Sequence, residues 1–157
     1  MAVEVERKFL VTSDAWRAGA EACNIRQGYL CLGEETTVRV RIAGAQAFIT
    51  VKSKTEGLSR AEFEYGIPLA DAEAMLENLC ARPLIEKTRH AVEHAGKTWT
   101  IDVFEGENEG LVVAEVELTS PEEVVALPEW AGEEVTYDTR YRNSSLVNAP
   151  LGNGEAC

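Results

Sequence analysis

Cysteine, histidine and basic residues are all scarce in this sequence, and each shortage argues against a class of function. The 157 residues include four cysteines and two histidines, with no CxxC pair and no zinc-ligand spacing, which disfavours a zinc site or a disulfide scaffold. Lysine and arginine number 15 against 27 acidic residues, so a basic surface for nucleic acid is not expected. No apolar run approaches the roughly 20 residues of a membrane helix, and the N-terminus lacks the pattern of a secretory signal. We therefore expect a cytoplasmic protein with reduced thiols that binds neither nucleic acid nor a membrane.

The length and composition predict one domain. A chain of 157 residues that is 45% hydrophobic and 27% charged can form one sizeable core, and no repeat, low-complexity tract or linker divides it. We predict a single domain over residues 1–157, with its core over residues 2–147 and a frayed tail over residues 148–157.

Alternation of apolar and polar residues is the dominant pattern, and it predicts strands with two distinct faces. We predict eight strands, at residues 3–9, 25–32, 36–43, 46–54, 60–67, 84–94, 97–105 and 110–119. Peripheral helices are predicted at residues 13–22, 71–81, 121–127 and 138–147. The second of these should bury a stripe formed by Met75, Leu76 and Leu79. The expected fold class is α+β and mainly β.

Charged residues recur at alternate positions on five of the predicted strands. The pairs are Glu4/Glu6, Arg39/Arg41, Glu62/Glu64, Lys87/Arg89 and Glu115/Glu117. Like charges at i and i+2 lie about 7 Å apart on one strand face and repel each other. One such pair would be typical of the solvated face of a β-sandwich. Five pairs instead favour a closed antiparallel barrel, because closure places them together in the interior and removes the exposed sheet edges.

The interior of such a barrel would contain two chemical sets. The acids are Glu4, Glu6, Glu62, Glu64, Asp102, Glu115 and Glu117, and the bases are Lys8, Arg39, Arg41, Lys52, Arg60, Lys87 and Arg89. Carboxylates without histidine or thiolate suit hard cations such as Mg²⁺ or Mn²⁺. Arginine and lysine suit phosphate oxygens. The two sets together predict a site for a metal-bound polyphosphate.

The ordered series of these residues resembles the triphosphate tunnel metalloenzymes, also called the CYTH superfamily, in its short bacterial inorganic triphosphatase type. The segment Glu4-Val5-Glu6-Arg7-Lys8 matches the ExExK signature of the family on the first strand, and the likeness extends over residues 2–147. The resemblance implies an eight-stranded antiparallel tunnel, a requirement for a divalent metal, Mg²⁺ or Mn²⁺, and chemistry at a triphosphate.

The resemblance also implies a role for each charged position. Metal-ligand candidates are Glu4, Glu6, Glu115 and Glu117. Further candidates are Glu62, Glu64 and Asp102, which would either bind a second metal through water or orient the basic residues. Phosphate-binding candidates are Lys8, Arg39, Arg41, Lys52, Lys87 and Arg89. Arg60 and Arg140 would either reach the substrate from a tunnel mouth or lie on the surface. Glu4, Glu6 and Lys87 are the expected catalytic residues, acting through an activated water and neutralisation of phosphate charge.

The leading functional hypothesis is metal-dependent hydrolysis of inorganic triphosphate, because so short a chain leaves little sequence for a nucleoside pocket. Thiamine triphosphatase and adenylate cyclase of the same fold are enzymatic alternatives. A non-catalytic module that binds polyphosphate or nucleotides is the alternative from another class, although inward acids would not serve an anion binder. The expected partner is a small anionic substrate, and the sequence is also compatible with a homodimer.

Overall fold

A computed structural model describes residues 2–151 of the chain as nine strands and a few short helices. The strands are β1 Ala2–Val11, β2 Glu21–Leu32, β3 Thr36–Ala43, β4 Gln46–Ser53, β5 Ser59–Ile67, β6 Ile85–His94, β7 Lys97–Phe104, β8 Val112–Glu117 and β9 Ala131–Glu134. The α-helices are α1 Leu69–Asn78 and α2 Asn143–Asn148, and 3₁₀ turns cover Gly106–Asn108 and Thr139–Tyr141. No helix among these residues is long and apolar enough to cross a membrane.

The first eight strands close into an antiparallel barrel, as predicted. The order around the ring is β5-β4-β3-β2-β6-β7-β8-β1, and pairing of β1 with β5 closes it. Residues 2–5 of β1 pair with β5, whereas Phe9 and Val11 pair with β9, which continues along the same edge of β1. The sequence did not predict β9, because the segment AGEE lacks the β-branched and aromatic residues typical of strands.

The apolar cores lie mainly outside the barrel. One covers the outer face of β1, β7 and β8, where Trp99 packs against Phe9 and Trp130 at ring-centroid distances of 5.6 and 5.5 Å. A second lies under α1, with Leu76 fully buried. A third, which includes Leu146 of α2, closes one end of the barrel. Because apolar groups occupy the outer faces and this end, the rest of the interior is left to polar side chains.

Two of the predicted helices do not form. Residues 13–20 make turns instead, with Gly19 at a left-handed φ of 78°, and β2 already begins at Glu21. Residues 121–127 are irregular, as a segment this short with two adjacent β-branched valines is a poor helix former.

The other two predicted helices form with altered bounds. In α1, Leu79 is 67% exposed and lies beyond the helix end, so it does not belong to the buried stripe; Ala72 and Leu76 are the buried residues. The helix predicted over 138–147 divides into a 3₁₀ turn and α2. Of the tail predicted to fray, Leu151 is buried, whereas residues 152–157 lie outside the described residues.

Candidate active site

The barrel interior holds a polar cavity of about 510 Å³. Strands with period-two patterning turn alternate side chains inward, so the charged faces predicted from the sequence meet there. Predicted site residues that line it are Glu4, Glu6, Lys8, Arg39, Arg41, Lys52, Arg60, Glu62, Glu64, Arg89, Glu115 and Glu117. Tyr29 of β2 also lines the cavity.

The ring order separates these charges into two halves, which we call the acidic half and the basic half. The acidic half is formed by the neighbouring strands β5, β1 and β8, which carry Glu62, Glu64, Glu4, Glu6, Glu115 and Glu117. The basic half lies across the cavity on β3 and β6, on either side of β2, and carries Arg39, Arg41 and Arg89. A ligand in the cavity therefore faces carboxylates on one side and guanidinium groups on the other.

Glu6 has the least favourable electrostatic position in the acidic half. It lies opposite Glu117 in the β1–β8 register, next to the pairing of Lys8 with Glu115. Like charges directly opposite each other on neighbouring strands are destabilising. Burial, together with the charges of Glu115 and Glu4, raises the pKa of Glu6 to about 9. Among residues 2–151, Glu6 makes no ion pair, so its carboxyl group is available to a cation.

The pKa of Glu4 is shifted in the opposite direction to that of Glu6, because cations surround the Glu4 carboxylate. Lys52 Nζ lies 3.0 Å and Arg60 Nε 3.4 Å from its two carboxylate oxygens. Burial would raise the pKa of Glu4, but a hydrogen bond from Glu62 and the charges of Lys52 and Arg60 outweigh it and hold this pKa well below its usual range. The same hydrogen bond raises the pKa of Glu62, which therefore holds its proton more strongly than a free glutamate. Glu4 is thus ionised and Glu6 protonated at neutral pH.

In the basic half, neutral residues orient the arginines of β3. Arg39 donates to the Thr50 hydroxyl at 3.2 Å, and Thr50 in turn donates to Glu64 at 2.7 Å. Arg41 Nε donates to Oε1 of the fully buried Gln27 at 2.8 Å. Burial and the neighbouring Arg39 and Arg89 lower the pKa of Arg41 to about 9. Several like charges are thus held together without enough anions to neutralise them, as in a site made for a polyanion.

Two predicted site residues, Lys87 and Asp102, do not line the cavity. The Lys87 side chain is 0% exposed, and its Nζ lies 2.7 Å from Asp102. Asp102 also receives two hydrogen bonds from Arg89, at 2.7 and 2.9 Å. Burial would raise the pKa of Asp102, but Lys87 and Arg89 hold it well below its usual range. Since Asp102 is almost fully buried and does not line the cavity, the structure favours it as an anchor for Arg89 rather than as a metal ligand.

Besides Gly96 in the β6–β7 turn, three lining residues that sequence reasoning missed lie outside the barrel strands. Arg142, Asn143 and Ser144 reach the cavity from the start of α2. Periodicity could not indicate them, since the segment before α2 is not a strand and has no repeating pattern. Lys97, Thr98 and Thr100 of β7 were also missed, because hydroxyl groups and a single lysine are common on solvated faces. Arg140 pairs with Asp138 at 2.7 Å instead of lining the cavity.

The acidic half fits the donor chemistry of a hard divalent cation. Its side chains offer only carboxylate oxygens, and burial raises the pKa of Glu6 in a way that a bound cation would reverse. Within residues 2–151, no three potential ligand side chains converge into a ready-made metal cage. Mg²⁺ does not require one, since it is usually held by one or two carboxylates with water and phosphate oxygens.

The sequence profile of the CYTH domain matches residues 2–148. The chain belongs to the CYTH domain family. The predicted resemblance is therefore confirmed.

Similar CYTH proteins include an inorganic triphosphatase of Acetivibrio thermocellus, 46% identical over 153 residues and 98% of each chain. An inorganic triphosphatase of Nitrosomonas europaea is 39% identical over 148 residues, which cover 92% of this chain and 96% of that one. Among solved structures, the inorganic triphosphatase NE1496 superposes with a TM-score of 0.69 at 34% identity, over 96% of this chain and 98% of that chain. A putative adenylate cyclase from Bacillus halodurans, at 16% identity and a TM-score of 0.62, covers 78% of this chain and 84% of that one and shares the fold.

Proposed function

We propose that this protein is a divalent-metal-dependent hydrolase that cleaves inorganic triphosphate inside its barrel. The observation that carries the proposal is the division of one cavity into an acidic half and a basic half. A metal–triphosphate complex has a cationic side and an anionic side, and it matches both halves at once. Both curated relatives described above are named inorganic triphosphatases, in agreement with this activity.

Glu4, Glu6, Glu115 and Glu117 are the residues that would hold Mg²⁺ or Mn²⁺, with Glu62 and Glu64 completing the acidic half. The bound cation would supply charge neutralisation and an activated water. Glu6 must lose its proton to take part, because its pKa is raised to about 9. Glu4 is already ionised, so we assign Glu4 as a permanent carboxylate and Glu6 as the one exchanged between proton and metal.

The basic residues of the cavity would bind the triphosphate. Arg39, Arg41 and Arg89 present guanidinium groups, which pair with phosphate oxygens in a two-pronged geometry. Lys8, Lys52 and Arg60 lie in or beside the acidic half and would contact oxygens near the metal. Lys87 lies behind the wall, so we assign to it the positioning of cavity residues rather than direct catalysis.

The lining favours inorganic triphosphate over nucleoside or thiamine triphosphates. Among the residues 2–151, Tyr29 is the only aromatic that lines the cavity, and the other lining groups are polar or charged apart from Gly96. A base or thiazole ring needs an apolar or aromatic surface for stacking. A pure anion-binding module is disfavoured as well, because six lining glutamates would repel an unmetallated anion.

Phosphate release from tripolyphosphate, ATP and thiamine triphosphate tests the proposal, each with Mg²⁺, Mn²⁺ or EDTA. We expect rapid turnover of tripolyphosphate with metal, none with EDTA, and much slower turnover of the other two substrates. Formation of cyclic AMP and pyrophosphate from ATP would assign a cyclase instead. Metal-dependent binding of tripolyphosphate without turnover would assign a binding module.

A further inference from the structure

Asn143, the first residue of α2, has a side-chain amide whose orientation is determined by its neighbours. Its Oδ1 accepts two hydrogen bonds, from Gln27 Nε2 and from Lys87 Nζ, both at 2.9 Å. The reverse orientation would place the Asn143 NH₂ group against two donors, so the carbonyl oxygen must face the wall.

The two donors are themselves held in place. Gln27 is fully buried, and its own carbonyl oxygen accepts from Arg41 at 2.8 Å, so its NH₂ group has to point toward Asn143. Lys87 is also fully buried and donates to Asp102 at 2.7 Å. A continuous polar chain therefore runs from Arg41 through Gln27, Asn143 and Lys87 to Asp102, and it orients the Asn143 amide from two sides.

The nitrogen of this amide remains for a ligand. Asn143 lines the cavity, and its neighbours Arg142 and Ser144 line the same cavity. Nδ2 carries two N–H donors, and within the described part of the chain it donates to no protein acceptor, whereas Oδ1 is occupied twice. A ligand at this position must therefore supply hydrogen-bond acceptors.

We propose that Asn143 is a substrate-binding residue that donates from Nδ2 to a phosphate oxygen of the triphosphate, and that Lys87 and Gln27 position it. The inference rests on the proposed function, since it assumes a phosphate ligand in the cavity. It adds a neutral donor, held by α2, to the cationic residues of the barrel strands. It also accounts for a fully buried lysine that does not line the cavity.

The Asn143→Asp variant tests this assignment. Aspartate has nearly the same shape and still accepts from Gln27 and Lys87, but it presents a carboxylate oxygen where the asparagine presents NH₂. We expect its dissociation constant for tripolyphosphate to rise on the order of 10- to 100-fold, both with Mg²⁺ and in EDTA, because a hydrogen bond to a charged acceptor is lost. The KM should rise with it, while the thermal unfolding temperature stays close to that of the wild type.

The matched control is Asn78→Asp, which makes the same charge change on the exposed end of α1, away from the cavity. It should leave binding unchanged. Asn143→Ala removes both the donor and the acceptor, so it should weaken binding and also lower the unfolding temperature. If Asn143→Asp bound and hydrolysed tripolyphosphate like the wild type while Asn143→Ala was impaired, Asn143 would have only a structural role and the proposal would be wrong.

A measurement on the wild-type protein needs no folded variant. The side-chain NH₂ resonances of Asn143, assigned by their absence in Asn143→Ala, should shift when tripolyphosphate is added in EDTA. Unchanged resonances in a protein saturated with tripolyphosphate would overturn the proposal. Because both readouts report binding, they remain decisive even if the wild type fails to hydrolyse tripolyphosphate, a result that would overturn the proposed function alone.

Discussion

At the scale of single residues, the two glutamates of the ExE segment on β1 are two positions apart and yet in opposite protonation states. Lys52 and Arg60 hold Glu4 ionised, whereas burial and the charges of Glu115 and Glu4 keep the proton on Glu6. Their chemical similarity in the sequence gives no hint of this difference. It arises from the surroundings that the folded barrel gives each side chain: the register places Arg60 opposite Glu4, whereas it places Glu6 opposite Glu117 and beside Glu115. A carboxyl group kept protonated by its neighbours is poised to exchange a proton for a metal ion.

Replacement of Glu6 by glutamine should separate stability from activity. In the folded protein the pKa of Glu6 is about 9, against an ordinary value of 4.5, so the folded state binds this proton more tightly than the unfolded state. The wild type therefore loses stability as pH rises from the ordinary value towards 9. Glutamine cannot ionise, so the variant does not undergo this loss of stability. In metal-free buffer we expect Glu6→Gln to unfold at a higher temperature than the wild type at pH 8, with little difference at pH 4.

The same variant should lose triphosphatase activity by a factor on the order of 100 or more, because the exchangeable carboxylate is gone. Glu77→Gln, on the exposed face of α1, is the matched control and should change neither stability nor activity. Full turnover by Glu6→Gln would remove Glu6 from the metal-ligand set. A stability difference that did not grow with pH would contradict the raised pKa.

Metal affinity should rise with pH for the same reason. A cation at Glu6 must displace a proton at every pH below about 9, so the apparent affinity for Mn²⁺ should increase up to about ten-fold per pH unit below that value. Titration calorimetry in two buffers of different ionisation enthalpy counts the protons released on binding. Close to one proton should be released at pH 7, and Glu6→Gln should release fewer. An Mn²⁺ affinity that is independent of pH would mean that the metal does not bind the Glu6 carboxylate.

At the scale of secondary-structure elements, the strands were predictable and the segments between them were not. Alternating residues such as Val38, Arg39 and Val40 determine which face is inward, and a strand that slips by one residue would expose its whole apolar set. The cavity-lining charges of the strands could therefore be predicted from the sequence. Asn143 could not, because it reaches the cavity from the start of a short helix whose position depends on packing at the end of the barrel.

The packing of the segment after α1 against the barrel depends on a strand glycine. A Cβ atom at Gly28 of β2 would lie 2.7 Å from Cys80 Cβ and 2.7 Å from Leu84 Cδ2. We expect Gly28→Ala to destabilise the protein by about 1–3 kcal/mol in urea unfolding, since overpacking displaces these side chains. Gly66→Ala in β5 is the matched control: nothing lies within 4 Å of its Cβ position, so its stability should not fall. Equal effects of the two substitutions would contradict this packing explanation.

At the scale of the whole molecule, the barrel has its apolar cores on its outer faces and at one end, with charges in the middle. Burial of so many charges is costly unless they are paired, and here the pairing is incomplete on both sides of the cavity. Pairs such as Lys52–Glu4 and Arg39–Glu64 connect strands that are separated by one other strand in the ring, but Glu6 and Glu117 are not ion-paired within the described residues. A cation bound to the acidic half and a polyanion bound to the basic half would neutralise the charges that remain unpaired.

Metal and triphosphate should therefore bind cooperatively. Mg²⁺ alone leaves the basic half with too few anions, and triphosphate alone meets the carboxylates of the acidic half, whereas the two together neutralise both halves and each other. We expect the thermal unfolding temperature to rise more with Mg²⁺ and a non-hydrolysable imido analogue of tripolyphosphate together than the sum of the two separate shifts. By thermodynamic reciprocity, the factor by which Mg²⁺ tightens binding of the analogue must equal the factor by which the analogue tightens binding of Mg²⁺.

Charge-neutralising variants on each side give this prediction its control. Arg41→Gln should weaken binding of the analogue in EDTA, whereas Glu117→Gln should weaken binding of Mn²⁺ measured alone, because each removes a charge from one half. Both should reduce the coupling between the two ligands, since the bound cation and anion would no longer be held against each other across the cavity. Independent binding in the wild type, with additive shifts in the unfolding temperature, would show that the two halves do not act on a single metal–triphosphate complex.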